Sequence, residues 1–302
     1  MPELPEVETV VRGLRLSLLG RAIVDVRFGK TDFVDNPGEI AERLPGTRIA
    51  NVTRLGKFIC IGLEGCAPSA APADHAWPLY LIIHLGMTGQ LTLIHSRESV
   101  APHTHGFFVL DDGRELRYTD IRRFGRMLLI SESRLADFTG QLGKEPLEIR
   151  AEEFCRYFQS RRARVKALLL DQRVLRGIGN IYADESLFRA RLHPARIAEN
   201  LTKKQLLALH GAVQRVLADA IRFRGSSISD YVDSEGNRGA FQLRHRVYQR
   251  DGKPCFRCKT KIRRVIVAGR SSHFCPRCQP APRSRRGSKS RLKPQMNTDK
   301  HR

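Results

Sequence analysis

Near the start of the chain Val7, Val10, Val11, Leu14 and Leu18 recur at helical spacing, with Pro5 and an acidic cluster ahead of them and Gly20 beyond. The spacing predicts a first helix from Glu6 onward, stopped at Gly20. The period then changes to two. Residues 23–28, 49–52 and 58–63 alternate as strands do, residues 79–85 read as a buried strand, and another strand runs through Ile94. Residues 107–110, an Asp-Asp-Gly turn and residues 115–118 predict a hairpin. From Ala151 the helical period returns. Phe154, Tyr157 and Phe158 share one face, and Val165, Leu168 and Leu169 open a second stripe. A glycine-punctuated turn at residues 176–182 leads into a helix through Ala190, and residues 201–222 form a longer amphipathic helix.

The order of these elements predicts an α+β chain, with an N-terminal helix and a two-layer β-sandwich over residues 1–140. A linker with Pro146 occupies residues 141–150, and helices follow over residues 151–245. Within them, residues 225–240 mix Gly, Ser, Asp and Asn and are expected to form a mobile loop. A ribbon is expected over residues 246–280, and residues 281–302 form a basic tail whose composition predicts disorder. Residues 64–78 are rich in Ala, Pro and Gly and read as an exposed insertion.

Charge narrows the choice of partner. The 302 residues carry a formal net charge of +22, which calls for a polyanion, most simply a nucleic acid backbone, with a membrane surface as the weaker alternative. The longest apolar runs stop well short of bilayer length, and the acidic start lacks the basic flank and apolar core of a signal peptide. A cytoplasmic protein is expected. Four of the seven cysteines form two Cys-x2-Cys pairs, Cys255 with Cys258 and Cys275 with Cys278, separated by sixteen residues. Two tight turns that each aim two thiolates at one tetrahedral ion predict a structural zinc, against the alternative of two disulfides. Cys60, Cys66 and Cys155 read as ordinary thiols, Cys60 in the core.

The candidate chemistry lies at the very start. Pro2, Glu3, Glu6 and Glu8 precede or open the first helix, and removal of Met1 exposes Pro2 as a secondary amine with an ordinary pKa of about 8. Such an amine is a nucleophile, and a carboxyl beside it moves the protons that Schiff-base formation requires. Alternatively, the three glutamates only complement the helix dipole. Lys57 stands at a strand entrance, where a lysine is usually solvated. Met87 lies between Gly86 and Gly89 at a turn, either as a core filler or as an apolar wedge for a base stack. Arg122, Arg123 and Phe124 combine the residue types that read or stack on bases. Residues 161–166 add a basic patch that includes Lys166. The glycines at 177 and 179 can present backbone N–H groups to a phosphate, whereas a dinucleotide fingerprint fails because no strand precedes them.

Taken together, the opening MPELPEVET, HLGMTG around Met87, YTDIRRFG, GIGNIYADESLF and the ribbon ending GRSSHFCPRCQ resemble the bacterial formamidopyrimidine-DNA glycosylases over residues 1–280. The endonuclease VIII branch of that superfamily usually has Gly where this chain has Leu4. The resemblance implies a helix-two-turn-helix domain at residues 151–245, with 225–240 as a lesion-side loop, a zinc ribbon at 246–280, and no organic cofactor. It implies a monomer that removes 8-oxoguanine and formamidopyrimidines from double-stranded DNA and cleaves the abasic strand by β- and δ-elimination. In that comparison Pro2 forms the Schiff base, Glu3 donates or shuttles a proton, and Glu6 matches a further important carboxylate. Lys57 matches the proton donor of β-elimination and Arg270 the arginine of δ-elimination. Met87, Arg122 and Phe124 match the residues that fill the gap left by the flipped base. His103, Arg161 and Asn180 match phosphate contacts, with Arg161 replacing a lysine. Ile121 stands where relatives commonly have Pro.

Two other readings compete with this one. An endonuclease VIII-like enzyme would prefer oxidised pyrimidines, and a non-catalytic zinc-ribbon DNA-binding protein would need only the charge and the cysteines, leaving the N-terminal constellation unexplained.

Overall fold

The computed structural model describes residues 1–65, 77–228 and 230–282. Most of the alanine- and proline-rich insertion, Cys66 with it, and the basic tail from residue 283 lie outside the described residues. Helix α1 (Leu4–Leu18) is followed by β1 (Ile23–Phe28), α2 (Pro37–Arg43), β2 (Arg48–Leu55), β3 (Phe58–Glu64), β4 (Leu79–His84), β5 (Gln90–His95), β6 (Thr104–Leu110), β7 (Arg114–Thr119), β8 (Arg126–Ser131) and α3 (Glu132–Gly140). The eight strands make two antiparallel four-stranded sheets, ordered β1-β6-β7-β5 and β2-β3-β4-β8. Their facing sides close on one core that holds Phe33, Ile61, Phe108 and Tyr118. This is the sandwich that the alternation predicts.

Helix α1 begins at Leu4, two residues before the expected start at Glu6. The Glu3 N–H donates to the Glu6 carboxylate at 2.9 Å, so a side chain three residues ahead closes the helix end, and Pro5 is tolerated in a first turn that has no donor to lose. Val7, Val10, Val11, Leu14 and Leu18 are buried in the sandwich core. Each such side chain taken fully out of water contributes about 1.5–3 kcal/mol. Leu4 instead belongs to the second core, among Ile178, Tyr182 and Phe241, and its N–H donates to Gly177 O at 2.9 Å. One helix is thus anchored in both halves of the molecule. Helices α2 and α3 and strand β8 escape the sequence reading; α2 buries only Ile40 and α3 buries nothing, so neither displays a period.

The second half comprises α4 (Ala151–Gln159), α5 (Val165–Leu170), α6 (Asn180–Arg189) and α7 (Lys203–Arg222), then β9 (Arg263–Val267) and β10 (Arg270–Phe274). Helix α7 starts two residues later than its apolar stripe because Thr202 caps it, accepting from Gln205 N at 3.2 Å while Gln205 Oε1 accepts from Thr202 N at 3.0 Å. Helix α6 is buried from Ile181 through Phe188 and grips the ribbon with two carboxylates. Glu185 accepts from the backbone N–H groups of Arg246, Val247 and Tyr248 at 2.9–3.0 Å. Asp184 accepts from His273 N at 2.8 Å and from Lys166 Nζ at 2.6 Å.

Two expectations need correction here. Lys166 is no part of a basic patch: it is fully buried, and its ammonium also donates to Ser271 O at 2.6 Å and Ser272 Oγ at 2.8 Å. The segment expected to be a mobile loop is bonded into both halves. Ser226 N donates to Glu6, Leu93 N to Ser234 O at 3.0 Å, Gly239 N to Ser227 Oγ at 2.8 Å, and Tyr231 Oη to Glu6 O at 3.2 Å. Short polar side chains here satisfy the backbone instead of leaving it to water.

A second bond between the halves is ionic. Arg54 of β2 donates to Glu8 of α1 at 2.8 Å and to both oxygens of Glu145 at 2.9 and 3.1 Å, and Arg176 donates to Glu145 at 3.2 Å. Among the described residues no helix is long and apolar enough to cross a membrane.

Candidate active site and metal centre

Where α1, the β2–β3 turn, the start of α6 and the tip of the ribbon converge, they leave a cleft of about 580 Å³. Pro2, Glu3, Lys57, Met87, Asn180 and Arg270 all line it. These residues are scattered over 269 positions of the chain and meet because α1 is held by both cores.

Glu3 is 3 % exposed, and its carboxylate faces the N-terminus of α6, accepting from Ile181 N at 3.1 Å and Tyr182 N at 3.4 Å. Gly179, at the N-cap of α6, is required there: a Cβ would fall 2.2 Å from the Glu3 carboxyl carbon. Burial raises the Glu3 pKa, opposed by Lys57, the two α6 N–H groups and the chain's amino terminus. Glu6 lies deeper and accepts from Glu3 N, Tyr182 Oη and Ser226 N. Burial, with Glu3 adding like charge, pushes Glu6 up to about 7. Lys57, expected to be solvated if it had no role, is 9 % exposed; burial lowers its pKa and Arg270 adds to that, against the pull of Glu3. The cleft therefore holds a carboxyl that burial biases toward its protonated form and an amine that burial biases toward its neutral one. Arg270 is exposed at the first position of β10, just past a reversal in which Ala268 (φ 50) and Gly269 (φ 71) are both left-handed, the signature of a two-residue hairpin turn.

Met87, 40 % exposed, sits at the cleft's edge on a turn fastened to the Arg122 loop. The fully buried Asp120 accepts from Thr88 Oγ1 at 2.5 Å, Arg122 N at 3.2 Å, Tyr118 Oη at 3.0 Å and Gly125 N at 2.9 Å. One carboxylate thus fixes both turns, and Arg122 lies over the exposed Phe124 ring at 4.4 Å. His103 is exposed beside them in a left-handed conformation (φ 64), its carbonyl accepting from Asp120 N at 3.0 Å. Arg161 lies apart from the cleft. It donates to Tyr157 O at 2.9 Å and stands 5.3 Å from that ring. Asn180 reaches the cleft with an Oδ1 that has no protein partner.

Sequence reasoning missed Tyr182, Ser226 and Tyr231, which surround Glu6, and Asp120, which fixes the two turns. A buried tyrosine or serine has no spacing signature, whereas Asp120, just past a strand and five residues before Gly125, carried a detectable turn signal.

At the ribbon, the four Sγ atoms of Cys255, Cys258, Cys275 and Cys278 lie within 4.8 Å of one another, and all four are free thiols. A tetrahedral zinc with bonds of about 2.3 Å separates its sulfurs by about 3.8 Å, so the donor set fits that ion and the two disulfides do not form. Cys278 N points to Cys275 Sγ at 3.4 Å, and Gln279, fully buried, closes the second knuckle by accepting from Cys275 N at 2.9 Å.

The chain matches three family descriptions in succession: the N-terminal domain of formamidopyrimidine-DNA glycosylase over residues 1–127, the H2TH domain of the same enzyme over 142–232, and a zinc finger found in FPG and IleRS over 252–281. It is 46 % identical over 281 residues to a formamidopyrimidine-DNA glycosylase from Solibacter usitatus, covering 92 % of this chain and 99 % of that one. A relative of the same description from Heliobacterium modesticaldum is 44 % identical over 289 residues, covering 92 % and 100 %. Among solved structures, a Lactococcus lactis FPG mutant bound to Fapy-dG containing DNA superposes with a TM-score of 0.83 at 31 % identity, over 93 % of this chain and 100 % of that one. The Lactococcus lactis protein bound to DNA with an abasic site also gives 0.83 at 31 % identity, over 92 % and 100 %.

Proposed function

Because the chain belongs to the formamidopyrimidine-DNA glycosylase family, we propose that its cleft removes oxidised purines from duplex DNA and then breaks the strand at the abasic site. The observation that carries this reading is the convergence of Pro2, the buried Glu3, the partly buried Lys57 and Arg270 on one cleft.

Loss of Met1 frees the Pro2 nitrogen. As a neutral secondary amine it attacks C1′ of the damaged nucleotide; the glycosidic bond breaks, and the base leaves with that electron pair and a proton. Glu3 is the group beside Pro2 that burial biases toward holding a proton. Opening of the sugar leaves an iminium ion on Pro2, which acidifies the C2′ hydrogen, and the 3′-phosphate departs by β-elimination with Lys57 moving the proton. Arg270, exposed at the ribbon tip, grips the phosphate and serves the δ-elimination that releases the 5′ side. The base must leave the stack for any of this, because C1′ is inaccessible within it. Met87, Arg122 and Phe124 then fill the gap, and His103, Arg161 and Asn180 hold phosphates. The four cysteines would bind a structural zinc, whose chemistry is to hold the ribbon and so to place Arg270. One copy of the chain acts on each lesion, in the cytoplasm where bacterial DNA lies.

Borohydride trapping on a duplex with one 8-oxoguanine opposite cytosine, followed by peptide mapping, tests the reading. An adduct on Pro2 is expected. Intact DNA binding without an adduct, on this duplex and on a matched thymine glycol duplex, would leave only a binding protein. An adduct on the thymine glycol duplex alone would assign the chain to oxidised pyrimidines.

A further inference from the structure

Helix α6 ends at a second depression in the surface. Its first residues, Asn180 and Ile181, line the cleft, whereas Phe188 and Arg189 at its other end line an open groove of about 600 Å³ that shares no lining residue with the cleft. Ten residues of helix set the two about 15 Å apart. Val216 of α7, the half-buried Phe223 and the buried Phe241 give the groove apolar walls, and Phe256 lines it while 52 % exposed.

Five arginines line this groove, against two carboxylates that are both engaged. Glu185 accepts from three backbone N–H groups, and Asp219 stands 3.4 Å from Arg189. Among the described residues, the guanidiniums of Arg222, Arg244 and Arg246 have neither an ion-pair partner nor a hydrogen bond to the protein. Helix dipoles account for Arg189 and Arg222, in the last turns of α6 and α7, but not for Arg246 and Arg257, which lie outside any helix. Like charges gathered without counter-charge repel one another, and a bound anion relieves that repulsion.

The aromatic rings narrow the class of anion. Arg244 stacks over Phe223 at 3.7 Å, Arg257 over Phe188 at 4.4 Å, and Arg246 and Arg250 over Phe256 at 4.8 and 3.8 Å. A guanidinium held by its face keeps its in-plane N–H edge for a ligand, and that fork matches a carboxylate. Nucleic acid fits less well. A single strand binds by laying bases on open aromatic faces, which guanidiniums share here, and a duplex backbone offers nothing to apolar walls. An extended peptide that mixes acidic and apolar side chains uses both the free N–H edges and the walls.

We propose that this groove docks an acidic segment of a partner protein, one that also presents apolar side chains, while DNA occupies the cleft. The inference goes beyond the glycosylase reading and uses none of its residues.

Fluorescence anisotropy of a labelled peptide of alternating aspartate and leucine tests it. The zinc-loaded full chain is first saturated with a short duplex carrying an abasic analogue, so that the basic cleft is closed to the peptide. The peptide should bind the loaded protein. Length-matched peptides with asparagine for aspartate or serine for leucine should bind at least about tenfold more weakly, and so should the acidic peptide to Arg222→Glu and to Arg244→Glu with Arg246→Glu. Affinity for the duplex should stay unchanged in these variants. Arg222 is exposed at the end of α7, so its single substitution keeps the test decisive if the double variant does not fold. Equal peptide binding by wild type and Arg222→Glu would overturn the proposal. Displacement of the peptide by duplex would overturn it too, making the groove part of the DNA surface. So would tighter binding of a single-stranded thymidine oligomer to the loaded protein, lost in the same variants, which would make the groove a second nucleic acid site.

Discussion

Glu3 and Glu6 are three residues apart, yet the fold gives them different partners. Glu3 faces the positive end of α6, and Glu6 sits deeper, beside the Glu3 charge. Because Glu6 holds its proton more tightly in the folded chain, its contribution to stability is complete below the ordinary carboxylate range and is lost as pH rises through about 7. The loss is on the order of 3 kcal/mol. Melting midpoints of the wild type and Glu6→Gln, compared from about pH 5 to 9, should therefore converge or cross as pH rises; parallel curves would show that Glu6 titrates as an ordinary carboxyl. At the cleft's edge, Arg122→Ala should slow lesion processing more than it weakens binding to undamaged duplex. Equal losses on damaged and undamaged DNA would make Arg122 a phosphate contact only.

Among the elements, α6 carries the most. Its N-terminus receives Glu3, and its interior supplies Asp184 and Glu185 to the ribbon. Lys166 of α5 completes that joint with a fully buried ammonium bonded to Asp184. Removing one partner of such a pair leaves an uncompensated charge, whereas replacing both with apolar groups costs far less. Lys166→Met should lower stability by about 3–5 kcal/mol, and Lys166→Met with Asp184→Leu should recover part of the loss, as read by urea unfolding. A double variant as unstable as the sum of the two single ones would mean that the pair is not coupled.

For the whole molecule, the relation between the two cores decides whether a site exists. Helix α1 spans them, and Arg54 ties Glu8, Glu145 and, through Glu145, Arg176 into one buried network. Arg54→Met should separate the melting of the two halves in calorimetry and depress activity although Arg54 lines no part of the cleft; a single unchanged transition would show that α1 alone suffices. The ribbon is the other long-range support. Cys258→Ser should lose zinc and DNA affinity together, and unchanged zinc content would contradict the four-thiolate centre.

The α+β order, seven of the eight sandwich strands, the amphipathic helices, the four-cysteine centre and the family were all legible in the sequence, since each rests on local period, spacing or contiguous motif. The N-terminal proline and its glutamates were legible for the same reason. Whatever depends on bringing distant segments together became visible only in the fold. It placed Lys57 and Arg270 in one cleft, buried Lys166 where the chain looked like a basic patch, and turned an expected mobile loop into a bonded wall behind Glu6. It also set Arg161 apart from the cleft and gathered arginines from α6, α7 and the approach to the ribbon around one groove. The physical reason is that burial and hydrogen-bond partnership belong to pairs of residues far apart in the chain, whereas periodicity records only which face of its own element a residue occupies.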